Sequence, residues 1–299
     1  MHAVPGGPWR GWFHAGIVAA VWVIGARAPA WAHLGCDQSA AAAIPQRAPH
    51  ALTGSQFARQ VEHVSGTARD AAIDAELLSG NLPQFLRRLV PVTLRDADSA
   101  GTEVVVCVLP DYLAVGSNRD FVFVPMGLRA ALTVADRFGF TLPTPKLVDA
   151  IYAAAATRLA PIPLPAGDQM RSTAYFVRHN DLISQEREQL GAVLGDLTAG
   201  DKKDLVLTSR LWRFPGRVAI YGWHIAERRP IQPLSTFHGA RYADYSHGVR
   251  LVSGTVYVNG LRTRMAEALA QPAIARLLTS EGPLTDVTGH LSALMDRLN

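Results

Sequence analysis

The valine-rich run from Glu103 to Leu109 constrains the fold of this chain more than any other stretch. A short, continuous series of apolar, mostly β-branched residues between turn signals predicts a strand that is buried on both faces. Val90 to Arg95 also has the pattern of a strand, and the polar segment 96–101 separates the two. A β-hairpin is the simplest connection between strands at this spacing.

Helical patterns lie before and after these strands. Apolar residues recur at helical spacing in four segments, 53–88, 129–138, 145–156 and 172–190. Two further strands are predicted at 205–207 and 218–221, joined through Pro215 and Gly216. Strand pairs with short connections, and no regular alternation of strand and helix, predict an α+β fold with a mainly antiparallel sheet flanked by helices.

The first 32 residues have the three parts of a secretory signal. A polar opening holds Arg10 and His14, Ala15 to Ala26 is apolar, and Ala30-Trp31-Ala32 forms a small-residue cleavage site. The apolar run is too short to span a bilayer as a helix, which needs about 20 residues. We therefore predict a periplasmic or secreted protein with no stable membrane anchor after signal removal. The predicted organisation is a signal peptide at 1–32, a flexible leader at 33–52 and a single α+β domain at 53–299.

Two cysteines, Cys36 and Cys107, leave alternatives open. Cys107 belongs to the valine-rich strand, where a free thiol behaves as a small apolar group. Cys36 belongs to the predicted leader. In an exported protein the two can also form a disulfide.

The charge balance excludes one class of partner. The formal net charge is +4, and it includes Arg10 and Arg27 of the signal, so a mature chain carries about two positive charges. This excess is too small to predict binding of nucleic acid.

The segment 217–258 has the highest density in the chain of residue types that occur in catalytic and binding sites. Strand alternation over a predicted strand from Tyr242 to Val252 places Asp244 and Ser246 on one face and His247 on the other. Ser246 and His247 therefore cannot pair as nucleophile and base while the strand is regular. The base for Ser246 would be another histidine, His224 or His238, with Asp244 as the orienting carboxylate. His247 would take part only through a bulge or loop.

These expectations give two sets of candidate site residues. The predicted catalytic residues are His224, Asp244, Ser246 and His247. The predicted substrate-binding residues are Lys202, Lys203, Trp223, His238, Tyr245 and Arg250. A phosphate loop, H-E-x-x-H, G-x-S-x-G and C-x-x-C are all absent from the sequence. No metal or other cofactor is predicted.

The five residues Ser246 to Arg250, preceded by His238-Gly239, resemble the Ser-His-Gly-Cys signature of L,D-transpeptidases. These are exported bacterial enzymes that cross-link peptidoglycan through an acyl-enzyme cysteine. Val249 stands where that cysteine would be, which excludes a cysteine mechanism, and the upstream histidines are off the usual spacing. Phrases such as PDYLAVGSNRDF and VAIYGWH also resemble a group of exported bacterial proteins without an assigned activity.

Two functions follow as predictions. One is an exported cell-envelope hydrolase or acyl-transfer enzyme that acts on an amide-type bond of peptidoglycan or a peptide. The alternative is a non-catalytic envelope protein that uses the same polar and aromatic residues to bind glycan or peptide. Whether the candidate residues converge on one cleft distinguishes the two.

Overall fold

A computed structural model describes residues 1–3, 36, 41–95 and 101–298 of the chain. Apart from its first three residues, the predicted signal peptide lies outside the described residues. No helix within the described part is both long and apolar enough to cross a membrane.

The helices of the described residues are placed before, between and after the strands. Their bounds are α1 Gly54–Gln60, α2 Gly66–Leu78, α3 Leu128–Phe138, α4 Pro145–Ala154, α5 Thr173–Gln189, α6 Arg210–Arg213, α7 Met265–Ala270, α8 Pro272–Leu278 and α9 Val287–Arg297. Local sequence signals determine where several helices begin or end. Gly139 ends α3 in a left-handed conformation with a φ of 74°, and the Thr144 side chain caps α4 at Leu147 N.

The strands are mostly short. Their bounds are β1 Val90–Arg95, β2 Glu103–Val108, β3 Ala114–Ser117, β4 Asp120–Phe123, β5 Phe140–Thr141, β6 Thr157–Arg158, β7 Thr198–Ala199, β8 Lys203–Leu205, β9 Ile220–Ala226, β10 Arg229–Ser235, β11 His247–Gly248, β12 Val252–Val258 and β13 Leu261–Arg264. Every residue of β2 is buried, as the valine-rich run predicts.

Two larger sheets organise the described residues. The first has the order β1-β2-β12-β13, with β5 also paired to β12, and all its pairs are antiparallel. The second has the order β10-β9-β8-β11, in which only β8 and β11 run parallel. Two small pairs, β3-β4 and β6-β7, complete the arrangement. The predicted α+β class is confirmed, with several mainly antiparallel sheets in place of one.

The described part of the predicted leader, 33–52, lies against the domain. Ile44 is buried, and the Arg87 guanidinium donates to the carbonyl oxygens of Ile44 and Pro45. Cys36 forms a disulfide with Cys107 of β2. This bond selects the second of the two alternatives for the cysteines and ties the segment around residue 36 to the first sheet.

Several charged side chains are buried in the interior, close to strand ends. Asp111 forms a buried ion pair with Arg187 of α5. Arg250, fully buried, donates to the carbonyl oxygens of Leu109 and Thr198. Burial without hydrogen bonds is costly for such groups, so these contacts fix where the strand ends meet.

Candidate functional site

His224 lies inside the molecule next to helix α4. Its side chain is 2% exposed, and its Nε2 lies 2.8 Å from Oδ1 of Asp149. The hydroxyl of Tyr221 donates to the same oxygen at 2.8 Å, and the Tyr152 ring stacks on the imidazole at 4.7 Å between centroids. The structure therefore pairs His224 with Asp149 and not with Asp244.

A local distortion of β9 brings His224 to this position. Gly222 has a φ of 113°, and the next residue, Trp223, has a φ of 57°. A Cβ at Gly222 would lie 3.3 Å from Val148 of α4, so a glycine allows strand and helix to approach closely. Non-glycine residues rarely adopt a positive φ, so Trp223 marks a strained point in the middle of β9.

Asp244 organises a tight turn. Its Oδ1 accepts hydrogen bonds from the backbone N–H of Ser246 at 2.8 Å and from the Ser246 hydroxyl at 2.6 Å. The N–H of His247 donates to the Asp244 carbonyl at 3.0 Å. The predicted regular strand from Tyr242 to Val252 is therefore wrong. An aspartate side chain that bonds the backbone two residues ahead stabilises a turn, and regular pairing begins only at His247.

This turn decides what Ser246 can do. Its side chain is fully buried, and its hydroxyl is hydrogen-bonded to Asp244. Among the described residues, no histidine nitrogen is a hydrogen-bond partner of that hydroxyl. A serine nucleophile needs such a base within reach. The arrangement is thus that of a structural serine, with Asp244 as its acceptor.

His247 follows the turn and is fully buried, close to the Asp244 carboxylate. Its Nε2 is 4.0 Å from Asp244 Oδ2, and neither ring nitrogen has a hydrogen-bond partner among the described residues. Burial lowers the pKa of His247 to about 4, against an attraction to Asp244 that raises it. The imidazole is therefore neutral near pH 7. Asp244 meanwhile has a pKa below its usual value: burial raises it, but His247 and hydrogen bonds from Ser246 outweigh that effect.

A pair of stacked rings forms the accessible edge of this cluster. The rings of His238 and Tyr242 are 3.9 Å apart and 6° from parallel. Both residues are half-buried, and the Tyr242 hydroxyl donates to Asp244 Oδ2 at 3.0 Å. The His247 ring lies 5.6 Å from that of Tyr242. We call His238 and Tyr242 the aromatic stack.

The two adjacent lysines have different environments. Lys202 is 1% exposed; its Nζ donates to the Tyr245 carbonyl at 2.7 Å and lies 2.9 Å from His179 Nδ1. Burial lowers the pKa of Lys202 to about 8. Lys203 is half-buried, and its Nζ lies 4.8 Å from the centre of the Trp223 ring. Only Lys203 of the pair can meet a ligand from solvent without a rearrangement.

The remaining predicted binding residues, Trp223, Tyr245 and Arg250, are all buried. Tyr245 is buried, and its hydroxyl accepts from the Leu164 N–H at 2.7 Å. Arg250 lies 4.4 Å from the Tyr112 ring and 4.0 Å from Asp204 Oδ1. These contacts give Tyr245 and Arg250 structural roles.

Each ring of the aromatic stack lines a different cleft. Tyr242 lines one of about 350 Å³ together with three arginines, and we call it the arginine cleft; its arginines are Arg69, Arg171 and Arg241. His238 lines the other, of about 540 Å³, with Phe214, Arg217 and Phe237, and we call it the phenylalanine cleft. Phe214 and Phe237 are exposed.

The structure brings Asp244, Ser246 and His247 together but does not bring His224 to them. Sequence reasoning missed Asp149, the partner of His224, because a carboxylate 75 positions away gives no local signal. It also missed the arginine cleft, whose members come from three separate segments. Among the described residues, no three histidine, cysteine or carboxylate side chains are placed to hold a metal ion.

No protein-family model, curated protein or solved structure matches this chain.

Proposed function

We propose that this protein is exported to the cell envelope and binds a peptide or glycan there without breaking a covalent bond. One observation carries the proposal: the two stacked rings each line a different cleft. Aromatic faces supply large, rigid contact area, and the polar edges of histidine and tyrosine supply hydrogen bonds. An extended ligand can cross the stack and occupy both clefts.

The hydrogen bonds of the buried candidate catalytic residues support a binding function in preference to an enzymatic one. Ser246 is buried and bonded to Asp244, and His224 is bonded to Asp149. A nucleophile and its base must lie within hydrogen-bond reach of each other and of the substrate. The accessible residues, by contrast, are Lys203, His238 and Tyr242. Their side chains can contact a bound ligand through charge, aromatic rings and hydrogen bonds.

Binding can be tested with purified mature protein, isolated peptidoglycan and a panel of short peptides. Replacing His238 by alanine removes half of the aromatic stack, so we expect affinity to fall about three- to tenfold, the value of an aromatic contact. His63→Ala is the matched control, because His63 is exposed and outside both clefts. Equal affinity of wild type and His238→Ala for every ligand would contradict the proposed surface.

Export has independent support from the cysteines. Disulfides persist in oxidising compartments such as the periplasm, and Cys36 is paired with Cys107. We expect cleavage after Ala32, which N-terminal sequencing of protein from the periplasm or medium will show. A chain that still begins at Met1 in the cytoplasm would rule export out.

A hydrolase or acyl-transfer enzyme is the second candidate, favoured by the gathering of Asp244, Ser246 and His247 in one turn. The same ligand panel tests it by product analysis, with Ser246→Ala, His224→Ala and a chelator in parallel. Loss of a nucleophile or base reduces turnover by several orders of magnitude. Turnover that disappears in Ser246→Ala would replace the binding proposal by the enzyme. Turnover lost only with the chelator would indicate a metal enzyme.

A further inference from the structure

Helix α2 begins at the wall of the arginine cleft. Ser65, its N-cap residue, makes no side-chain hydrogen bond to the first turn. The first N–H groups of a helix have no partner within the helix and carry partial positive charge. A Cβ at Gly66 would meet no atom within 4 Å, so there is open space beside the first residue of the helix. Such an uncapped helix start is suited to an anion.

Arg69 gives an independent indication of an anionic ligand. It lines the cleft although only 3% of its surface is exposed. Its Nη1 donates to the Arg171 carbonyl at 2.8 Å and to Thr173 Oγ1 at 3.3 Å, and its guanidinium lies 4.2 Å from the Phe176 ring. Its Nε has no hydrogen-bond acceptor among the described residues. A buried guanidinium with an unused donor carries a desolvation cost, and its positive charge at the wall of the cleft favours an anion there.

The charges around the cleft limit which anion fits. Two exposed arginines, Arg171 and Arg241, line the cleft with Arg69. Two carboxylates oppose them: Asp168 lies 3.8 Å from Arg171, and Asp70 accepts from the Gly127 N–H at 3.1 Å. Three positive and two negative side chains leave one net positive charge. A singly charged carboxylate matches this better than a doubly charged phosphate.

We infer that the arginine cleft is a subsite for the carboxylate of a peptide ligand, bound between the start of α2 and Arg171 and Arg241. The inference rests on the proposed binding function, and Tyr242 connects the two because it belongs to both the aromatic stack and this cleft. A ligand whose backbone crosses the stack can end with its carboxylate at the helix. Arginines hold carboxylates through paired, charge-assisted hydrogen bonds.

Titration calorimetry with N-acetyl-Ala-Ala and with its C-terminal amide tests the subsite. The purified protein is expected to bind the free acid at least about tenfold more tightly than the amide. Arg171→Gln and Arg241→Gln should each reduce this preference to about threefold or less. Both residues are exposed, so these variants are expected to fold; unchanged urea midpoints will verify it. Arg178→Gln, on an exposed arginine of α5 outside the cleft, is the matched control and should keep the full preference.

Failure of the subsite and failure of the proposed function give different results. Equal affinity for acid and amide overturns the subsite and leaves the binding function standing. If neither peptide binds, the peptide-binding proposal fails, and the amide resonances of Gly66 and Thr67 are followed during titration with acetate and with phosphate. Saturating shifts with acetate support the carboxylate subsite. Shifts with phosphate alone, or no shifts with either anion, overturn it.

Discussion

At residue 246 a buried hydroxyl contributes to stability. The Ser246 hydroxyl donates to Asp244 at 2.6 Å, and removing it leaves that carboxylate oxygen with one fewer donor. Ser246→Ala should lower the free energy of unfolding by about 1–3 kcal/mol, because a buried acceptor loses a partner. Urea denaturation measures the change, with Ser184→Ala as an exposed control expected within about 0.5 kcal/mol of wild type. A Ser246→Ala variant as stable as the control would contradict the structural role.

At the adjacent position, His247 makes stability depend on pH. Burial lowers its pKa in the folded protein from 6.5 to about 4. Between those values the unfolded chain binds more protons than the folded one, so acid favours unfolding. The contribution of His247 is complete above pH 6.5, falls by up to about 3 kcal/mol as the pH drops to 4, and does not fall further below it.

The variant His247→Gln isolates this contribution from other titrating groups. Urea unfolding of wild type and variant between pH 7 and pH 4 should show a steeper loss of stability in the wild type. Parallel curves for the two proteins would show that His247 keeps an ordinary pKa when folded.

At the scale of elements, the parallel pairing of β8 with β11 depends on Gly248. A Cβ there would lie 2.5 Å from the Tyr112 ring and 2.8 Å from Lys202. Gly248→Ala should therefore overpack the contact and cost about 1–3 kcal/mol or more. Gly239→Ala is the matched control, because its Cβ would come no closer than 3.9 Å to another atom. Thermal unfolding of both variants measures the difference. Equal unfolding midpoints for Gly248→Ala and Gly239→Ala would contradict the close packing at Gly248.

Elements with strong local signals were predictable from sequence. The hairpin of β1 and β2 and the helices α3, α4 and α5 lie within a few residues of their predicted bounds. Apolar periodicity and local turn residues determine such elements. The predicted strand from Tyr242 failed because the side chain of Asp244 competes for the backbone, which alternation of polar and apolar residues does not reveal.

The candidate site was only partly predictable, for a different reason. Asp244, Ser246 and His247 are close in sequence, and one turn holds all three. His224 was placed with them because it lies nearby in sequence. Its actual partner, Asp149, comes from helix α4, and only the packing of that helix on β9 creates the pair.

At the scale of the whole molecule, the disulfide closes a long loop. Cys36 and Cys107 are 71 positions apart, and a cross-link of this length restricts the unfolded chain. Removing it with Cys36→Ala should lower the free energy of unfolding by about 2–5 kcal/mol. Wild type in reductant should approach the stability of the variant in urea denaturation. A reductant effect of the same size on Cys36→Ala itself would show that the disulfide is not its cause.

The buried ion pair of Asp111 and Arg187 also has an evolutionary consequence. Losing one partner leaves an uncompensated charge in the interior, which costs about 3–5 kcal/mol, whereas exchanging both for well-packed apolar residues can be nearly neutral. Single substitutions at these positions are therefore expected to be removed by selection, and double substitutions to persist. Homologous chains should carry both charges or neither, so positions 111 and 187 are expected to covary.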